Sequence, residues 1–188
     1  VLVPGVYDDA YNEACRLRDE QGLTFIHPFD DYCVMAGQGT IGLEIIDQLP
    51  DVDIVFVPIG GGGLISGIAY AIKKLKPECK VIGVQAAGAP SMYKSVRTDR
   101  IITLDSVDTI ADGIKVKTPG NLTFDLCRKY VDDIVTVSES EIASAILTAL
   151  EKQKLVAEGA GAVGIAAAMY GGIDLRGKSV CAVLSGGN

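Results

Sequence analysis

The sequence lacks the marks of several protein classes. No apolar run approaches the roughly 18 to 20 residues that a membrane-spanning helix needs, and no charged segment followed by an apolar core opens the chain as a secretion signal would. Cations are outnumbered: 17 Lys and Arg against 24 Asp and Glu leave a formal charge of −7, whereas nucleic-acid phosphates require clustered Lys and Arg. The five cysteines (Cys15, Cys33, Cys79, Cys127, Cys181) are odd in number, widely spaced and form no C-x-x-C pair. That usage argues against a zinc cluster or a disulfide framework and fits a reducing compartment. No internal repeat, low-complexity tract or long linker is present. These absences imply a soluble cytoplasmic protein that binds neither nucleic acid nor membrane.

What is there supports one substantial core. The chain has 188 residues, 48% of them hydrophobic, enough for a compact domain and too apolar for disorder. Strand-like runs at 1–3, 23–26, 54–57, 81–84, 134–137 and 179–184 alternate with helical patterns at about 8–20, 40–49, 64–75, 122–131 and 160–170. Ser138-Glu139-Ser140-Glu141 forms a capping box that opens a further helix to about Lys152, and the stretch from about Ser91 to Pro119 reads as less regular. Alternation of this kind predicts an α/β fold, a mostly parallel sheet with helices on both faces. A domain boundary is expected near Gly22. The start at Val1 inside a strand-like run, and the end at Asn188 with no closing helix, lead us to expect a fragment.

The most informative segment is Pro58-Ile59-Gly60-Gly61-Gly62-Gly63-Leu64, where a buried strand runs into four glycines and then an apolar helix. Four glycines cost conformational entropy, which a plain flexible turn seldom requires. Without side chains, successive N–H groups can converge on an anion, and the helix adds the positive end of its dipole. There is no G-x-G-x-x-G, no G-x-x-x-x-G-K-[ST] and no lysine in the loop, so a monoester phosphate suits it better than a dinucleotide or triphosphate. Ser185-Gly186-Gly187-Asn188 follows the last strand in the same way, and strand C-termini of a parallel sheet share one edge. By itself Ser185 could be a turn hydroxyl. Ala36-Gly37-Gln38-Gly39-Thr40 reads as a tight helix start, with Thr40 either an ordinary cap or a ligand contact.

Together these strings resemble a known family. Ala36-Gly37-Gln38-Gly39-Thr40-Ile41-Gly42-Leu43-Glu44, Pro58-Ile59-Gly60-Gly61-Gly62-Gly63-Leu64, Ile110-Ala111-Asp112-Gly113, Glu158-Gly159-Ala160-Gly161-Ala162 and Ser185-Gly186-Gly187-Asn188 occur in the order found in the serine/threonine dehydratases of pyridoxal-phosphate (PLP) fold-type II, a tryptophan synthase β-like fold. The likeness covers nearly the whole chain and is strongest to the short catabolic threonine dehydratases. It implies that residues 1–22 are a remnant of the smaller domain and that 23–188 form the large, phosphate-binding one.

The resemblance also implies site roles. Gly60, Gly61, Gly62, Gly63 and Leu64 would bind the cofactor phosphate, Ser185 the pyridine nitrogen, with Gly113 against the ring and Glu158 near its pyridine end. A neutral hydroxyl at the nitrogen weakens the ring as an electron sink and favours prompt β-elimination. For Glu158 a helix-terminus acid or an ion-pair member is an equal reading. The implied reaction is dehydration and deamination of L-threonine, and of L-serine, to 2-oxobutanoate or pyruvate plus ammonia. A homodimer or homotetramer is implied, and some short catabolic relatives answer to a nucleotide effector, AMP; no residue here assigns either.

The family's S-x-K-x-R-G-A motif, whose lysine carries the cofactor, does not occur in these residues. The chain is therefore expected to hold no catalytic residue of its own and to be inactive alone. In serine racemases and some dehydratases a cation site uses carboxylates where this chain has Gln85 and Ser91, with Ala89 between them offering a carbonyl. Hard divalent cations prefer charged oxygens, so no metal is expected and dehydratase is favoured over racemase. The lone histidine, His27 in His27-Pro28-Phe29-Asp30-Asp31, reads as structural rather than as a general base. A non-catalytic phosphate-ligand binder is the alternative from another class, and a generic nucleotide-binding fold ranks last.

Overall fold

In the computed structural model, which describes residues 1–5 and 7–187, four strands form one sheet in the order β3-β2-β1-β4. They are β1 (Ile54–Pro58), β2 (Lys80–Ala86), β3 (Asp133–Val137) and β4 (Val180–Ala182), and each pair is parallel. Parallel pairing needs long crossovers, which helices supply: α3 (Gly63–Leu75) joins β1 to β2, and α4 (Ser91–Thr98) and α5 (Asn121–Tyr130) lie between β2 and β3. After β3 come α6 (Glu139–Thr148) and α7 (Gly159–Tyr170), while α1 (Tyr7–Gln21) and α2 (Tyr32–Gln48) precede the sheet. No described helix is long and apolar enough to cross a membrane.

All five residues of β1 are buried because both faces of the sheet are covered, as a continuous apolar run implies. Ile54 and Phe56 join a core with Ile142 and Ala145 of α6 and Val163 and Ala166 of α7. Val55 and Val57 point the other way, into a core with Ile65, Ile68 and Ile72 of α3, Met92 of α4 and Phe124 of α5. Each such side chain contributes about 1.5 to 3 kcal/mol through burial. The helix α7 is apolar on nearly every side, in keeping with its place against the sheet. The capping box is present as the sequence predicts: Glu141 N–H donates to Ser138 Oγ, and Ser138 N–H donates to Glu141 Oε2 at 2.7 Å. Beyond α6 the chain continues through a π turn, Ala149–Gln153.

Several expectations need correction. Residues 1–3 and 23–26 form no strand; no described segment pairs with them, and an isolated strand leaves its backbone groups to water. The helix expected from Thr40 starts at Tyr32. Asp31 is its N-cap, accepting from the N–H groups of Cys33 at 2.7 Å and Val34 at 3.1 Å. The string Ala36 to Thr40 therefore lies inside α2 and is not a helix start. Thr40 caps nothing and donates its hydroxyl to Gly37 O at 2.8 Å, while Gly39 faces the backbone of α3, where a Cβ would stand 3.2 Å from Gly67 O. The stretch expected to be irregular contains α4 and a short 3-10 turn, Asp112–Ile114.

Candidate functional site

The tetraglycine loop leaves β1 at the C-terminal edge of the sheet. Gly62 caps α3 with φ +102°, a left-handed backbone that side chains rarely adopt, and it offers no side-chain bond to the helix. The opening amides of an α-helix have no partners within it, so those of this loop stay available to a ligand at the positive end of the α3 dipole. The far end of α3 carries Lys73 and Lys74 in its last turn, which complements the dipole there.

Three other turns come to the same edge. A Cβ on Gly60 would lie 3.1 Å from Ile114 Cα and 3.3 Å from Gly113 O, so the loop abuts the Ile110-Ala111-Asp112-Gly113 turn. A Cβ on Gly113 would meet Glu158 Oε1 at 3.5 Å, and one on Gly186 would overlap that same carboxylate. Glu158 N–H donates to Gly186 O at 3.2 Å. Val183 N–H donates to Phe56 O at 2.9 Å, which carries β4 along β1 and sets Ser185 at the same edge, exposed.

Thus Gly60, Gly113, Glu158 and Gly186 follow one another along one edge of the sheet, with Leu64 half-buried at the start of α3. Glu158 is the N-cap residue of α7, yet its carboxylate caps no amide of that helix and leans toward Gly113 and Gly186. Neither a cap nor an ion pair is made by it among the described residues. Asn188 of the Ser-Gly-Gly-Asn string lies outside the described residues.

Beneath the loop sits the segment His27-Pro28-Phe29-Asp30-Asp31. His27 Nδ1 accepts from Asp30 N–H at 2.8 Å and from Phe29 N–H at 3.3 Å, which accords with the structural reading. The Phe29 ring lies where a Cβ of Gly61 would be, 2.5 Å from its nearest atoms. Asp30 accepts from Asn121 N–H at 3.0 Å and Thr123 N–H at 3.1 Å, starting α5, while Asp31 starts α2.

Sequence reasoning missed two side chains that touch the loop from behind. Gln85, fully buried in β2, donates Nε2 to Ile59 O at 3.2 Å and accepts from Tyr93 N–H at 2.8 Å. Thr123, also fully buried, donates its hydroxyl to Gly61 O at 2.6 Å. The signal for Gln85 is a lone amide within an otherwise apolar strand; Thr123 gives none. Ser91 is fully buried too, and no hydrogen bond to its hydroxyl is formed among the described residues. No described cluster of His, Cys, Asp and Glu could hold a metal ion.

Known proteins resemble the chain over nearly its whole length. The family of pyridoxal-phosphate dependent enzymes matches residues 1–186. The chain is 55% identical over 188 residues to an L-threonine ammonia-lyase of Thermotoga maritima, covering all of this chain and 47% of that protein. It is 46% identical over 184 residues to the catabolic L-threonine dehydratase TdcB of Escherichia coli, covering 97% of this chain and 56% of that one. The structure of maize serine racemase superposes with a TM-score of 0.93 at 35% identity, covering 100% of this chain and 59% of that one. The chain thus spans about half the length of the curated relatives it matches. Its parallel sheet, its glycine loop and the match over nearly its full length make it a member of the pyridoxal-phosphate dependent enzyme family.

Proposed function

We propose that the full-length protein containing this chain is a threonine and serine ammonia-lyase, and that this chain supplies its phosphate and ring-nitrogen contacts. The observation that carries the reading is the convergence of the tetraglycine loop, the Gly113 turn, Glu158 and the Ser185-Gly186 end at one edge of the sheet. The residues fit the cofactor chemically: bare amides with a helix dipole suit a monoester dianion, and a neutral hydroxyl suits an unprotonated ring nitrogen. When bound, pyridoxal phosphate supplies an electron sink for the bonds at the substrate's α-carbon.

The amides of Gly60, Gly61, Gly62, Gly63 and Leu64 bind the phosphate in this reading. The Ser185 hydroxyl meets the pyridine nitrogen and keeps it unprotonated. Gly113 leaves room for the ring, and Glu158 closes the crevice on the pyridine side. Residues 1–22 belong to the smaller domain and 23–188 to the larger. In support, α1 reaches the rest through ring contacts such as Tyr11 with Phe25 at 5.5 Å and with His27 at 5.6 Å. The ligand is a small amino acid, and the protein works as a homo-oligomer.

Serine racemase is the second reading, favoured by the superposition on the maize enzyme. The neutral pair Gln85 and Ser91 speaks against a racemase that depends on a divalent cation. The full-length protein should release ammonia and 2-oxobutanoate from L-threonine only when pyridoxal phosphate is present. D-serine from L-serine without oxo-acid formation from either substrate would turn the assignment to the racemase; neither product would remove both.

A further inference from the structure

The glycine loop has no side chains of its own, so something else must decide where its amides point. Every peptide bond among the described residues is trans, and in a planar trans peptide the C=O of one residue and the N–H of the next point in opposite directions. Whatever fixes a carbonyl therefore aims the following amide. Two carbonyls of this segment are fixed by buried side chains on its inner side. Ile59 O accepts from Gln85 Nε2 at 3.2 Å, and Gly61 O accepts from Thr123 Oγ1 at 2.6 Å and from Gly120 N–H at 3.3 Å. The amides so aimed are those of Gly60 and Gly62.

Both side chains are themselves held. Gln85 Oε1 is occupied by Tyr93 N–H in the first turn of α4, so the amide can present only its nitrogen to Ile59. Thr123 lies in the first turn of α5, whose start is set by Asp30. Both are fully buried, and a polar group buried in a core costs free energy unless its bonds are made, as they are here. A methionine at 85 or a valine at 123 would fill the same volume with no such bond.

We propose that Gln85 and Thr123 are positioning residues: by pinning the carbonyls of Ile59 and Gly61 they turn the Gly60 and Gly62 amides toward a bound phosphate. A hydrogen-bonded carbonyl also polarises its own peptide, which strengthens the N–H as a donor. Neither side chain touches the ligand. The inference rests on the phosphate reading of the loop.

The test uses the full-length protein stripped of cofactor and titrated with pyridoxal phosphate and with pyridoxal, which lacks the phosphate. The ratio of the two affinities isolates the phosphate grip from the rest of the site. Thr123→Val and Gln85→Met should each lower that preference about tenfold, on the scale of one hydrogen bond to a charged group, while pyridoxal affinity stays at the wild-type value. Thr123→Ser, which keeps the hydroxyl, should restore the preference. The proposal fails if the valine and methionine variants keep the wild-type ratio, or if they weaken both ligands equally, as a merely structural role would. A wild-type protein with no preference for the phosphorylated form would overturn the phosphate reading itself, and this inference with it.

Discussion

At the C-terminal edge of the sheet, the two side chains that hold the carbonyls of the glycine segment are uncharged: Gln85 reaches Ile59 O and Thr123 reaches Gly61 O. At the N-terminal edge the same task falls to ions. Asp132 accepts from Val81 N–H at 2.7 Å while pairing with Lys73 at 2.8 Å, and Asp53 accepts from Ser179 N–H at 2.8 Å with Lys178 at 3.6 Å. The difference follows from what each edge has to do. Uncharged groups on those two carbonyls add no negative charge behind the amides, and the carboxylates at this edge hold other turns, Asp30 at the start of α5 and Glu158 beside Gly113 and Gly186. Of the two pairs at the N-terminal edge, Lys178 with Asp53 is the more exposed and so the more readily screened by salt, while Lys73 with Asp132 is half-buried.

The comparison is broken most easily at Gly62. Gly62→Ala would place a Cβ 2.8 Å from both Met92 Cε and Thr123 Cβ on a backbone with φ +102°. The full-length variant should lose about 2 to 5 kcal/mol of stability from strain and overpacking, read by urea unfolding, together with most of its pyridoxal-phosphate affinity. Unchanged affinity would mean that this edge does not bind through its backbone.

Asp132→Ala sharpens the contrast from the other end. It removes the acceptor of Val81 N–H and the partner of Lys73, and should cost about 1 to 3 kcal/mol without moving the preference for pyridoxal phosphate over pyridoxal. A changed preference would show that the two edges are coupled. The smallest effect is expected at Asp53, whose carboxyl is held below the usual carboxylate range, first by the Ser179 N–H and then by Lys178, against the opposing pull of burial. A lowered folded-state pKa gives stability that is full above the ordinary carboxylate range and is lost as the pH falls through the lowered value. Asp53→Asn should therefore flatten the acid limb of a stability–pH curve; an unaltered limb would assign acid sensitivity to other groups.

Much of this was legible in the residues. The strands β1 and β2 and the helix α3 are marked by buried apolar runs, and the glycines between β1 and α3 mark the turn that joins them. The Ser138 capping box marks the start of α6. What was illegible depended on partners distant in the chain. Residues 1–3 and 23–26 have strand composition, yet a strand exists only where another lies beside it. Asp31 reads as a loop acid until the helix it starts is seen. Gln85 looked like an absent carboxylate, because only the fold brings Ile59 O and Tyr93 N–H to its two ends. Ser185 could be set beside the glycine loop because parallel strands share one C-terminal edge, whereas Gly113 and Glu158 could be assigned there only through the family resemblance, since their spacing in the chain carries no such information.

Asp30 and Asp31 are consecutive and begin different helices, α5 and α2 respectively. Inserting a single residue between them would leave one helix start without its carboxylate whichever way the chain relaxed. The segment is thus intolerant of length change although it is a surface connection, and an exchange of loops with a relative should preserve this pair as a unit.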